Sequence, residues 1–340
     1  MSYVVITFLW LSILLYFLLG GADFGAGIVE LFTSSRNVDR TRRTLYHAIG
    51  PIWEANHMWL IIAIVILFVG FPVIYSELSI YLHIPLVVML MGIIARGTAF
   101  VFRHYDAVRD DMQEIYNRVF VWSSFITPLF LGITAGSTVS GHIQPDAKDF
   151  MTAYVLGWFN WFSISVGFFT VALCGFLAAV YLIGEADEES ARKGFIRKAR
   201  NANIIAVVCG ILVFVAAEVD HVPLVTWVFG DSVGVTAVIA ATLSLVALWR
   251  LIPKKRRLAL RILVAFQVTM ILLAISYAHF PNIIIMAGGK TLSLYDYQAP
   301  AKTMSALGWA LLIGSAFILP ALFYLYYSFQ IKRMRHFEEA

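Results

Sequence analysis

Nine apolar stretches, separated by polar connections, run through this chain: residues 3–33, 49–69, 80–102, 119–136, 155–183, 204–217, 233–251, 260–279 and 305–329. A helix of about twenty residues crosses a bilayer core of about 30 Å. Of the 340 residues, 60% are hydrophobic and 14% charged, whereas a soluble domain has about 25% charged residues. There is too little polar surface to enclose so much apolar chain in water. The expected fold is therefore all-α, a polytopic integral membrane protein of nine transmembrane helices, with residues 1–340 forming a single transmembrane domain. Disordered, disulfide-stapled and nucleic-acid-binding classes are excluded.

Local features refine this picture. The first stretch is long for one span and carries Gly20, Gly21, Gly25 and Gly27. It reads as one helix, because glycine is tolerated in membrane helices and permits close packing. Thr127-Pro128 predicts a kink in the fourth span. Cys174 and Cys209 lie in apolar runs and read as small core residues. The longest connection, 280–304, contains Pro281, Gly288, Gly289 and Pro300 and reads as an ordered or semi-ordered surface loop.

Basic residues orient the spans. Alternate connections hold Arg36, Arg40, Arg42 and Arg43; Arg103, Arg109 and Arg118; Arg192, Lys193, Arg197, Lys198 and Arg200; and Arg250, Lys254, Lys255, Arg256, Arg257 and Arg261. The C-terminal tail adds Lys332, Arg333 and Arg335. These are 21 of the 25 Lys and Arg; the other connections hold Lys148, Lys290 and Lys302, and Arg96 lies inside a span. The asymmetry places the N-terminus outside and the C-terminus in the cytoplasm. With no Lys or Arg before Arg36, the N-terminal segment reads as the first helix rather than a cleavable signal peptide. The basic connections serve insertion and contact with anionic lipid, so no nucleic-acid partner is expected.

An ionisable side chain at membrane depth costs at least about 2.5–3.5 kcal/mol, so each needs a partner, a cavity or a function. Asp23, Glu54, His57 and Arg96 fall in the cytoplasmic half of the first three spans. Asp23, Gly27 and Glu30 share a helix face, with Glu30 about 10 Å nearer the interface. Glu54 and His57 are spaced to interact along the second span. Carboxylates and an imidazole staggered in depth suit a proton relay. A structural alternative stands beside it, in which Asp23 or Glu54 pairs with Arg96 to hold three helices together and His57 is a core histidine.

Haem ligation by this chain would need facing axial ligands at one depth. His47 and His104 fall at the inner boundary, His83, His221 and His279 near the outer one, and His142 and His336 in polar segments. Only His57 is clearly interior, so neither cofactor binding nor metal ligation is expected of this chain, and no residue is expected to be catalytic.

Two segments carry a specific resemblance. Gly21-Ala22-Asp23-Phe24-Gly25-Ala26-Gly27 follows the pattern G-x-D-x-G-x-G. Pro51-Ile52-Trp53-Glu54-Ala55-Asn56-His57-Met58-Trp59 follows P-x-W-(D/E)-x-N-x-x-W. Together with Arg96-Gly97 and Phe100-Val101-Phe102-Arg103, they make the chain resemble subunit II of the cytochrome bd-type quinol oxidases. The resemblance implies two four-helix bundles plus a peripheral helix. It also implies a partner, subunit I, carrying two haems b and one haem d, in a heterodimer of the bacterial cell membrane that reduces oxygen to water with quinol. It allows a small single-span third subunit and contacts with lipid and the quinone pool. Subunit II would then act as scaffold and as a proton path through Asp23 and Glu54, with Arg96 as structural companion. Glu54 stands where many relatives have aspartate, and His57 falls at a free position of the pattern. The rival reading from another class is an independent proton-coupled transporter, whose inverted repeats and broken helices are not evident.

Overall fold

The computed structural model describes residues 1–50, 52–105, 112–186, 188–254 and 256–338, with side chains described except at 47, 49, 104, 105, 326 and 329–338. Pro51 of the second motif, Arg109 and Lys255 lie outside these residues, as do the side chains of His47, His104, Lys332, Arg333, Arg335 and His336.

Among the described residues, nine helices are long and apolar enough to cross a membrane. They are α1 (Ser2–Leu31), α2 (Trp53–Gly70), α3 (His83–Arg103), α4 (Met112–Val139), α5 (Trp161–Glu185), α6 (Glu189–Val219), α7 (Ser232–Lys254), α8 (Arg257–His279) and α9 (Ala301–Leu325). The expected spans are all present, with shifted ends. The apolar stretch 204–217 marks only part of α6, which begins at Glu189, because a helix can carry charged turns beyond the hydrocarbon. Residues 155–160 form a turn, and α5 starts at Trp161, where Asn160 accepts a hydrogen bond from the Ser163 N–H at 2.8 Å as an N-cap. Four shorter helices lie between the spans among the described residues: Val38–Ile49, Pro72–Tyr81, Phe150–Tyr154 and Leu224–Phe229.

The helices form two groups of four. Helix α1 packs on α2, α4 and α5, and α3 packs on α4; α5 packs on α6 and α8, and α7 on α8. Helix α9 touches the bundle through α1 and α2 and is mostly exposed, which makes it the peripheral helix. The most enclosed element is α5, whose Gly167, Ala172, Cys174, Ala178 and Ala179 keep its surface small enough for close helix approach. Cys174 is fully buried there.

The glycines of α1 are what seat it. A Cβ on Gly25 would overlap the main-chain carbonyl of Cys174 and lie 2.7 Å from the Ala178 side chain; one on Gly27 would strike Ser124 of α4. Gly25→Val should therefore lift α1 off α5. Overpacking against side chains costs about 1–3 kcal/mol, and backbone yields less readily. The expected outcome is a fall in thermal midpoint and in the yield of detergent-stable protein. A variant melting with the parent would show that the glycine has no seating role.

The connections separate into two ends. At one, Arg40 pairs with Glu188, Lys198 bonds Thr33 at 2.6 Å, Arg192 bonds the Ile252 carbonyl at 2.5 Å, and Arg261 pairs with Glu185. The basic connections are thus stitched to one another. At the other, Ser2 bonds Gln298 at 2.6 Å and the Ala299 N–H bonds the Gly70 carbonyl at 2.8 Å. The 280–304 connection is an ordered hairpin of β1 (Asn282–Ile285) and β2 (Thr291–Ser293), fastened to residue 143 through the Ala287 N–H at 2.9 Å.

Candidate functional site

The buried polar residues of the first bundle gather where α1, α2, α3 and α4 meet. Asp23 is 1% exposed, and its Oδ2 accepts a hydrogen bond from Asn56 Nδ2 at 2.8 Å. Arg96, also 1% exposed, reaches across from α3. Its Nη2 donates to the main-chain carbonyl of Asp23 at 2.8 Å, and its Nε donates to Ser124 Oγ at 3.1 Å. The guanidinium carbon lies 5.3 Å from the ring centroids of both Phe24 and Phe120, within cation–π range. Arg96 therefore ties α1, α3 and α4 together, holding α1 by its backbone rather than by a carboxylate.

Glu30 forms a second centre seven residues along α1. Its side chain is 1% exposed, with Oε1 held by Arg42 Nε at 2.6 Å and Oε2 by Arg103 Nη1 at 3.0 Å. Arg42 belongs to the helix Val38–Ile49, so this pair anchors that amphipathic helix under α1. Arg103 in turn lies 4.9 Å over the Phe120 ring. Between the two centres is a cavity of about 10 Å³, lined by Ala26, Glu30, Arg96, Arg103 and Phe120 among others. That is the room one water molecule needs.

Glu54 and His57 are placed differently from Asp23. Glu54 is exposed in the first turn of α2, and residue 56 is the one that faces α1. At about 100° per residue, positions 54 and 56 point to nearly opposite sides, so only one of them can meet Asp23. The motif itself contains Asn56, and its amide was the signal that attention to charge overlooked. His57 is partly buried, with its ring 5.6 Å from Phe24, 6.0 Å from Tyr16 and 6.4 Å from Trp53. Ser124, Arg42 and Arg103 are likewise site residues that the chain order does not reveal, since each arrives from another element.

Nδ1 of His83 lies against the Ile80 carbonyl at 2.8 Å, and Nδ1 of His142 against the Ser140 carbonyl at 3.0 Å. His279 packs on Trp227 at 5.4 Å. Among the described residues, no group of three or more His, Cys, Asp or Glu is placed to hold a metal ion.

Fold and site together define a multi-pass membrane protein whose buried charges join its first four helices. The chain belongs to the cytochrome bd terminal oxidase subunit II family, whose model matches residues 1–329. It is 32% identical over 160 residues to cytochrome bd ubiquinol oxidase subunit 2 of Bacillus subtilis, a match covering 47% of this chain and 46% of that protein. It is 26% identical over 190 residues to cytochrome bd-I ubiquinol oxidase subunit 2 of Escherichia coli K12, covering 53% of this chain and 49% of that protein. The chain thus aligns with about half the length of these curated relatives. Its fold is that of a chain in the solved bd oxidase of Geobacillus thermodenitrificans, with a TM-score of 0.74 at 20% identity over 96% of this chain and 98% of that one.

Proposed function

We propose that this chain is the second subunit of a quinol:oxygen oxidoreductase in a bacterial cell membrane. Its N-terminus would lie outside and its basic end in the cytoplasm. Its partner is a haem-bearing subunit I holding two haems b and one haem d, with a small third subunit, lipid and quinone as further contacts. This subunit stabilises its partner and passes cytoplasmic protons through Glu30, Asp23, His57 and Glu54 toward the site of oxygen reduction.

The observation that carries the reading is the Asp23 carboxyl, buried and held by the Asn56 amide, while Glu54 lies exposed on α2. A carboxyl at membrane depth is a proton-handling group by default, and the exposed one stands where a partner subunit can receive from it. The cavity beside Glu30 extends this polar line toward the basic end. Each charge moved through 100 mV is worth about 2.3 kcal/mol, so the depth of delivery has an energetic consequence.

In the purified complex, Asp23→Asn and Glu54→Gln are expected to slow oxygen consumption by about tenfold or more, in the range of lost proton-transfer groups, with the haem spectrum and complex yield unchanged. Native turnover in both assembled variants would remove the relay, and loss of the complex would favour a purely structural role. A purified chain that is stable, colourless and free of a haem-bearing partner would instead support the transporter reading.

A further inference from the structure

Two polar atoms inside the first bundle have no hydrogen-bond partner among the described residues: the Tyr16 hydroxyl and Nδ1 of His57. Tyr16 is 4% exposed. The two rings lie 6.0 Å apart between centroids, and the Phe24 ring borders both, at 6.3 and 5.6 Å. Buried polar groups are almost always satisfied by protein or by ordered water, and two orphans on neighbouring rings point to a shared ligand that is itself both donor and acceptor.

The backbone around Tyr16 is also irregular. Residues Tyr16–Gly20 form a π-helical turn within α1, a feature that recurs at functional sites. The Tyr16 ring lies against Gly20, where an added Cβ would come within 2.9 Å of ring carbon Cε2, so the glycine makes room for the ring. On the other side, His57 follows Asn56, the residue that donates to Asp23. It also lies one helical turn from Glu54, a spacing at which side chains are neighbours. The orphan pair therefore lies on α1 and α2, the two helices that carry Asp23 and Glu54.

We propose that Tyr16 and His57 hold internal water that connects Asp23 with the Glu54 face of α2. The proposal rests on the reading that these two carboxyls handle protons. The water accepts a proton at its oxygen from the protonated Asp23 carboxyl and releases one of its own toward the Glu54 carboxylate. It leaves the step as neutral water, and Asp23 is left ready for reprotonation from the basic end. Tyr16 is a positioning residue here, and His57 takes its place in the relay by holding the water rather than by changing its own charge.

The test uses the intact complex, with haem spectrum and yield as controls for assembly. Tyr16→Phe keeps the ring and removes only the hydroxyl, and His57→Leu removes the second anchor. Each is expected to slow oxygen consumption about tenfold, equivalent to about 1.4 kcal/mol on the barrier, and to raise the solvent deuterium isotope effect. His57→Gln, which can still hydrogen-bond water, should restore part of the lost rate. Native rates in Tyr16→Phe and His57→Leu, with Asp23→Asn slow, would overturn the water site and leave the relay standing. Native rates in all three would overturn the relay itself. If His57→Gln were as slow as His57→Leu, the positioning role would be lost. Independently, a map of the native complex that resolves other buried waters should show density between Tyr16 and His57, and its absence would end the proposal.

Discussion

Arg96→Leu is expected to abolish recovery of the folded chain. The guanidinium is 1% exposed and supplies the donors for the Asp23 carbonyl and the Ser124 hydroxyl. Leaving the buried groups it satisfies without their donor costs about 1–3 kcal/mol each, a large part of a total stability of about 5–15 kcal/mol. Helices α1, α3 and α4 lose their common fastening at the same moment. Melting curves and membrane yields of the variant and the parent make the comparison. A single variant that melts with the parent would show that Arg96 is not what holds the helices.

Glu30→Gln is expected to have the next largest effect. The carboxylate is divided between Arg42 and Arg103, with side-chain exposures of 1%, 29% and 7% for Glu30, Arg42 and Arg103. Loss of its charge leaves Arg103 buried without an anion, again about 3 kcal/mol or more, and frees the helix Val38–Ile49 from α1. The thermal midpoint should fall, and trypsin should cut within residues 36–43 faster than in the parent. Since the pair is mostly buried, added salt should change the parent's midpoint little. Unchanged trypsin resistance would mean that this helix is held by Leu45 and its apolar contacts instead.

Much of this was legible in the amino-acid order. Apolar stretches of bilayer length have one economical solution, a helix with its backbone bonds satisfied internally, so the nine spans could be counted without coordinates. The alternation of basic connections likewise anticipated which ends would meet, and the stitching of Arg40, Arg192, Lys198 and Arg261 to partners in neighbouring connections agrees with it. Helix ends were less legible: hydropathy reports where lipid begins, not where hydrogen bonding stops, which is why α6 runs back to Glu189. The π-helical turn at Tyr16–Gly20 left no signature beyond the glycine that accommodates the ring.

The site was legible by residue type and only partly by partner. Asp23 and Arg96 announced themselves, because charge at membrane depth demands an explanation; Glu54, singled out on the same ground, is exposed on α2, and Glu30, read as nearer the interface, is buried. The order of residues could not say that Arg96 would bond the backbone of Asp23, or that Asn56 rather than Glu54 would meet its carboxyl. Nor could it say that Glu30 would be shared between Arg42 and Arg103. Membrane class and span number belong to the sequence, since they depend on composition and local periodicity alone. Partnership belongs to the tertiary structure, because it depends on the rotation of each helix about its axis. That rotation is set by packing contacts such as Gly25 on α5 and Gly27 on Ser124, between residues far apart in the chain.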